Sequence, residues 1–270
     1  MEHKTEIIHD LPSAEYRSRP GLNASLLKKF SVSPLHAVTD RFESSPATDL
    51  GSYIHAKCIC PSELSEFAVM PTTGEGSRTA RSKWKEEHPE GVLLSPSQKD
   101  IGDACAANIQ AHHEWKQMHD GRDTRYEVSL FAEHPKFGIP MKARIDILAI
   151  EGTARCIIGD IKSFGGGAMT KKNLFWTIRD RGYDLQLAYY IRMAQLCNLP
   201  SIDQALLFFT ETGTDARDVA CVEVDPGWLA LAENRMDELI AQYVECSFSG
   251  VFPGFNHGKK LVLGLGTNLG

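Results

Sequence analysis

What the 270-residue sequence lacks narrows its class before any motif is read. No apolar run reaches the ~20 residues that cross a bilayer, and the first thirty residues carry Glu2, Glu6 and Asp10 in place of a basic start and an apolar signal core. A cytoplasmic chain with no membrane partner is expected. The seven cysteines (Cys58, Cys60, Cys105, Cys156, Cys197, Cys221 and Cys246) are odd in number and never spaced Cys-x-x-Cys. That argues against both a disulfide framework and a zinc ribbon. Cys58 and Cys60, the one close pair, lie on an apolar helical stretch and read as core residues. Nor is there an excess of basic charge: a net charge of −6 excludes a protein that coats nucleic acid indiscriminately, while leaving room for an acidic catalytic site with local contacts to DNA.

Repeats and low-complexity segments are absent as well, and 42% hydrophobic with 24% charged residues is the composition of an ordinary soluble domain. Residues 1–20 read as an extended arm. A Pro-Gly turn and an Asn or Ser cap then open short helices through "NASLLKKF" and "SPLHAVTDRF". Thr48 or Asp49 is expected to cap a helix through "LGSYIHAKCIC", which stops at Pro61. Residues 71–82 are rich in Gly, Ser and Thr and read as a mobile loop, followed by a short helix in "KWKEEHPEG". Ser95 caps a long helix to about Asp120. From there the period becomes that of strands: "RYEVSLFAEH" and two runs around Glu151–Thr153, then a glycine hinge, a basic amphipathic segment and a helix in "YDLQLAYYIRMAQLCN". A second strand pair and a helix between Pro226 and Gly250 complete the pattern. The order of helices and strands predicts an α/β fold with a mixed central sheet flanked by helices and an elaborated helical N-terminus.

The hairpin "KARIDILAIEGTARCIIGDIKSF" (142–164) places Arg144, Asp146, Asp160 and Lys162 within apolar strands, where unpaired charge costs several kcal/mol. If Glu151–Thr153 form a three-residue loop, Ile150 pairs with Ala154, Arg144 opposes Asp160, and Asp146 lies diagonal to Asp160 on one face. A two-residue loop would turn Asp160 to the other face. Two close carboxylates repel unless a cation joins them, and hard oxygen ligands favour Mg²⁺ or Mn²⁺. The alternative is a set of cross-strand ion pairs on a solvated face. Basic groups at Arg78, Arg81, Lys83 and Lys85, and at Lys171, Lys172, Arg179 and Arg181, are by themselves compatible with an ordinary charged surface.

"RID" followed by "DIK" resembles the core of the PD-(D/E)xK nucleases. The pieces "AEYRSRPGLNASLLKKFSVSPLH", "LGSYIHAKCICP", "YEVSLF", "MKARIDIL", "IIGDIKS" and "GYDLQLAYY", in that order across residues 12–195, resemble more closely the RecE (exonuclease VIII) type nuclease domain of the RecB-like branch. The resemblance implies a restriction-endonuclease-like core over residues 49–250 of a single domain, with 1–48 as an N-terminal arm and short helices and 251–270 as a loose tail. It implies a Mg²⁺-dependent exonuclease, with Mn²⁺ as a substitute and two ions at the site, that degrades double-stranded DNA 5′ to 3′ from ends to mononucleotides. The enzyme would act in phage or prophage recombination as a homo-oligomeric ring, beside a single-strand annealing partner.

Residue by residue, Asp146 and Asp160 match the metal carboxylates and Lys162 the motif lysine. His55 matches an N-terminal histidine ligand and Glu127 a glutamate that binds metal or a water. Gln186 and Tyr190, four apart on one helix face, match a pair that lines the site. Arg78, Arg81, Lys171, Lys172, Arg179 and Arg181 are the candidate DNA contacts. Two rival functions fit the same fold: a site- or structure-specific endonuclease or nickase, and a DNA-binding recombination accessory without catalysis.

Overall fold

Alternating apolar runs in the middle of the chain pair into one six-stranded sheet in the computed structural model, which describes residues 5–40, 44–74 and 76–260. In chain order, β1 (Glu6–Ile8), α1 (Ser13–Ser18), α2 (Ala24–Val32), α3 (Pro34–Thr39) and α4 (Pro46–Ile59) form the N-terminal part. They are followed by β2 (Phe67–Val69), α5 (Ser77–Glu87), β3 (Val92–Leu94), α6 (Pro96–Ala111) and α7 (His113–His119). The long strands β4 (Asp123–Glu133), β5 (Pro140–Glu151) and β6 (Arg155–Phe164) then run consecutively. Helices α8 (Lys171–Asp180) and α9 (Tyr183–Leu196), strands β7 (Ser201–Glu211) and β8 (Val219–Glu223), and helix α10 (Pro226–Ser249) close the order.

The sheet order is β1-β4-β5-β6-β7-β8, antiparallel throughout except for β6 beside β7. A parallel pair needs a crossover, and α8 with α9 supplies it. One face of the sheet packs Leu27 of α2, Leu185, Tyr189 and Met193 of α9, and Met236 and Ile240 of α10. The other packs Leu50, Ile54 and Cys58 of α4, Cys105 and Ile109 of α6, and Trp115 and Met118 of α7. The expected mixed sheet between helical layers is thus present.

Several boundaries differ from the sequence expectation. The N-terminal arm is not wholly extended: Glu6–Ile8 adds an edge strand to β4, and Ser13–Ser18 is helical. Helix α4 starts earlier than Thr48 or Asp49, because Ser45 caps it and Thr48 serves instead as the reciprocal partner of a capping box, with Pro46 at the first turn. The stretch read as a loop to residue 82 is helical from Ser77, which puts Arg78 and Arg81 on α5. The long helix capped by Ser95 breaks at His112, whose ring accepts from the Glu114 N–H and starts α7. Cys58 is buried in the core. Of the expected loose tail, Phe255–Gly258 forms a 3-10 turn and residues 261–270 lie outside the described residues.

The hairpin register also differs. Glu151 pairs with Arg155 and Ile150 with Cys156, so the three loop residues are Gly152, Thr153 and Ala154. The reversal sits one residue later than expected, at Gly152 in the left-handed region (φ 60°). An odd loop length is kept, and with it the parity of the strands. Arg144 therefore does not oppose Asp160. The β5–β6 ladder ends at Ile147 and Gly159, and the next residue on each strand, Asp146 on β5 and Asp160 on β6, brings its carboxyl group into contact with the other.

Beyond that point the two strands part. β6 stays on β7 to Phe164, while β5 finds a new neighbour at Leu22, which bridges Met141 and exchanges hydrogen bonds with Pro140 and Lys142. Lys142, buried, turns its ammonium to the carbonyls of Tyr16 (2.9 Å), Arg17 (3.2 Å) and Arg19 at the end of α1. It thereby satisfies carbonyls that a helix end leaves free. Lys142→Met, which keeps the volume and removes the donor, is expected to destabilise the protein by about 1–3 kcal/mol, measured as a lower midpoint in urea unfolding.

Candidate active site

The fork between β5 and β6 gathers charged side chains from four parts of the chain. Asp160 on β6 is 1% exposed, and its carboxylate accepts from Lys162 Nζ (2.9 Å to Oδ1, 2.7 Å to Oδ2) and from Gln186 Nε2 (2.7 Å to Oδ2). Asp146 on β5 accepts from the Ile161 N–H at 3.3 Å, which fastens it to the opposite prong. Gln186 on α9 also lies 2.9 Å from Tyr190 Oη, one turn on. Tyr189, its neighbour, points the other way and donates to the Leu22 carbonyl in the core.

His55 comes from α4. Its Nε2 lies 3.0 Å from Glu127 Oε1 and 3.5 Å from Asp146 Oδ2. The helix can approach because Gly51, one turn earlier, has no Cβ: one would stand 3.2 Å from the Ser163 hydroxyl of β6. Glu127 takes a left-handed backbone (φ 52°) in mid-strand, a conformation that costs a non-glycine residue about 1–3 kcal/mol. Its effect shows in the core. Tyr126 packs with the α4–α6 layer and Val128 with the α9–α10 layer, although residues two apart on a strand ordinarily share a face. Ile147 and Ile145 on β5 divide in the same way. The alternation that would keep Lys142, Arg144 and Asp146 on one face is broken here, and Asp146 turns to His55.

Arg144 closes the cluster by an ion pair from Nε to Glu127 Oε2, with Ser13 Oγ at 2.8 Å and Glu63 at 3.9 Å, and with Tyr16 beneath its guanidinium. Sequence reasoning named Arg144 only as a strand residue. Lys28 on α2 was missed altogether: its Nζ donates to Gln186 Oε1 at 2.8 Å. A lysine in "LLKKF" carries no sequence signal for this, since one turn of helix decides whether it faces solvent or the fork.

The site residues thus converge on one place, with His55, Glu127, Asp146, Asp160, Lys162, Gln186 and Tyr190 in contact. The basic candidates do not join them. Lys171, Lys172 and Arg181 are exposed on or just after α8, where Arg179 lies over the Trp176 ring; Arg78 is exposed on α5, and Arg81 donates to the Met70 carbonyl. A cavity of about 320 Å³ lined by Glu114, Asp120, Arg122 and Gln204 sits elsewhere, beside β6 and β7 near their starts.

Two buried carboxylates side by side set the electrostatics. Burial and the neighbouring Asp146 push Asp160 up to about 7. Asp146 goes the other way: burial would raise it, but His55 and Lys162 outweigh that and hold it well below the usual carboxylate range. For His55, burial favours the neutral ring, yet Asp146 and Glu127 win and raise it to about 10. Burial and Lys162 lower Lys28 to about 8. Donor atoms of His55, Glu127 and Asp146 lie within 4.8 Å of one another. Two hard carboxylates and an imidazole at that spacing, with a third carboxylate beside them whose pKa burial and Asp146 raise, fit a divalent cation.

A raised His55 pKa stabilises the metal-free fold fully below the unfolded value of about 6.5, and that contribution is lost as pH rises through about 10. His55→Gln should therefore lower the melting temperature in EDTA at pH 6, and the difference from wild type should shrink by pH 10.

Residues 23–257 match the family model described as PDDEXK-like domain of unknown function (DUF3799). No curated protein sequence matches the chain. Among solved structures, a protein from Eubacterium rectale provisionally described as an exonuclease superposes with a TM-score of 0.61 at 15% identity, over 95% of this chain and 96% of that one. An alkaline exonuclease from Laribacter hongkongensis matches at 14% identity and a TM-score of 0.31, over 76% and 93% of the two chains. The family match and the fold agree with the PD-(D/E)xK core that the sequence resembles. This chain belongs to the PDDEXK-like family DUF3799 and has the architecture of PD-(D/E)xK nucleases.

Proposed function

We propose that the protein is a Mg²⁺-dependent exodeoxyribonuclease that hydrolyses double-stranded DNA from its ends. The observation that carries this reading is the contact of the Asp146 and Asp160 carboxyl groups just past the end of the β5–β6 ladder, with His55 and Glu127 on one side and Lys162 on the other. His55, Glu127, Asp146 and Asp160 are the residues that would hold Mg²⁺, or Mn²⁺ in its place. Bound there, the metal supplies Lewis acidity toward the scissile phosphate and lowers the pKa of an attacking water.

The chain's own groups do the rest. Lys162, fixed on Asp160 at 2.7 Å, presents an ammonium whose remaining protons can meet charge developing on a phosphate oxygen. Gln186 holds the Asp160 carboxylate and the Tyr190 hydroxyl in register. Arg144 holds Glu127 toward His55, so that two anions are presented together without unbalanced repulsion. Exposed Lys171, Lys172 and Arg181, with Arg179, give α8 and the residues just after it a basic surface on the element that follows the Asp160 strand. With Arg78 and Arg81 on α5, these are the proposed contacts to the DNA backbone.

The 5′ to 3′ polarity, mononucleotide products, two-ion site, ring assembly, annealing partner and role in phage-type recombination rest on the six-segment sequence resemblance. Among the described residues no helix is long and apolar enough to cross a membrane.

Asp160→Asn is expected to lower Mg²⁺-dependent hydrolysis by roughly 10²–10³-fold or more, with an unchanged circular dichroism spectrum. Wild-type activity in a folded variant would remove the assignment. Exonuclease and endonuclease separate on substrate topology: blunt linear duplex should be converted to mononucleotides while covalently closed circles stay intact. Linearised circles at a comparable rate would instead establish the endonuclease, and binding without cleavage of either substrate the accessory protein.

A further inference from the structure

Lys28 is a cation that the proposed chemistry does not use and that the protein takes trouble to place. Its aliphatic stem crosses Gly182, where a Cβ would stand 3.1 Å from Lys28 Cγ and 3.3 Å from Cδ. Gly182 lies in the left-handed region at the start of α9 (φ 61°), so its lack of a side chain serves both the backbone and the lysine. Beyond it, the Lys28 ammonium stands 5.3 Å from the centre of the Tyr183 ring, and the Lys162 ammonium 4.7 Å from the same ring. Both also point at one neutral oxygen, Gln186 Oε1, at 2.8 Å and 3.4 Å.

The two ammonium groups are not compensated alike. Lys162 has the Asp160 carboxylate at 2.7 Å. Around Lys28, no carboxylate of the described residues lies within 4.0 Å, and the one hydrogen bond it makes is to the uncharged amide of Gln186. Like charges side by side in a partly buried place are unfavourable until an anion joins them. An ammonium has three donors, and Lys28 spends one. The unspent donors, and a charge that no carboxylate contacts directly, sit one residue, Gln186, away from Asp160.

We infer that Lys28 and Lys162, bedded on Tyr183, form a subsite for a backbone phosphate of the nucleic-acid strand lying against the carboxylates. This deepens the nuclease reading and rests on it for the identity of the ligand. It also gives Gln186 a second task. Its amide is oriented by ammonium groups at the oxygen and by Asp160 and Tyr190 at the nitrogen, so a phosphate drawn to Lys28 is registered against Asp160 through one side chain.

Lys28→Gln keeps a polar donor but carries no charge, whereas Lys28→Arg keeps the charge. Binding of a fluorescein-labelled 12-nucleotide DNA strand in EDTA, followed by anisotropy between 25 and 200 mM salt, separates the two. Lys28→Gln is expected to bind about 5–10-fold more weakly at low salt and to flatten the log–log salt slope by about one phosphate contact. Lys28→Arg should stay within about twofold of wild type. Wild-type affinity and slope in Lys28→Gln would overturn the subsite, whether or not the enzyme hydrolyses DNA. A Lys28-dependent slope in a wild-type protein that hydrolyses nothing would keep the subsite and remove the nuclease function, and absence of any binding by wild type would overturn both. Should Lys28→Gln fail to fold, oligonucleotides with a single uncharged methylphosphonate, moved along the strand, make the same test on wild type. One position should weaken binding clearly more than the rest, and equal sensitivity everywhere would overturn the proposal.

Discussion

Two carboxylates facing each other across a strand pair are the constraint around which this molecule is arranged. Asp146 and Asp160 sit just past the end of the β5–β6 ladder, and their repulsion inside the protein must be met by something on every side. Lys162 and Gln186 meet Asp160; His55 and the Ile161 N–H meet Asp146. The donor atoms that His55, Glu127 and Asp146 gather there are the opening for a divalent cation. The parting of the strands costs backbone hydrogen bonds only locally, because β6 keeps β7 as its partner and Leu22 takes the vacated edge of β5.

The N-terminal helices, which could be taken for decoration on a nuclease core, carry much of that arrangement. Helix α1 ends on Lys142 and places Ser13 and Tyr16 against Arg144; Arg144 in turn holds Glu127. Helix α2 delivers Lys28, and α4 delivers His55 over the close approach that Gly51 permits. The strained backbone at Glu127 belongs to the same design. By reversing the faces of β4 between Tyr126 and Val128, it lets one strand feed both core layers and turn a carboxylate into the fork at their junction. Strain of that kind persists where surrounding contacts over-determine it, and here His55 and Arg144 grip the side chain from two directions.

Much of the fold could be read from periodicity. The order of strands and helices after residue 120, the cap at Ser95 and the helix from Pro226 to Ser249 all follow from spacing and end signals that act within a few residues, whereas the break at His112 does not. Boundaries near the N-terminus could not. Ser45 outcompetes Thr48 as cap because the two form a reciprocal box, and the Gly- and Ser-rich stretch before Lys83 winds into helix from Ser77 despite its composition. Within the hairpin, the position of the turn moved by one residue toward Gly152 while its odd length was kept. Parity, and so the meeting of Asp146 with Asp160, is the same in both registers.

By itself the sequence determined the residue types and the alternation along each strand of the hairpin, which are local properties of the chain, while the structure decided between an odd and an even loop. It also determined that acids and a lysine would stand inside an apolar hairpin, which is the chemical signature of a site. His55, Glu127 and Gln186 entered through the family resemblance, and only the tertiary structure decided that they, with Arg144 and Lys28, reach it. His55, Glu127, Arg144, Gln186 and Lys28 are separated by up to 158 positions yet lie within hydrogen-bond or ion-pair distance of one another in sequence-remote pairs. Their meeting depends on where the helices cross the sheet and on a face reversal in mid-strand. Those are set by packing of whole layers and by one left-handed residue, and neither leaves a trace in the local pattern.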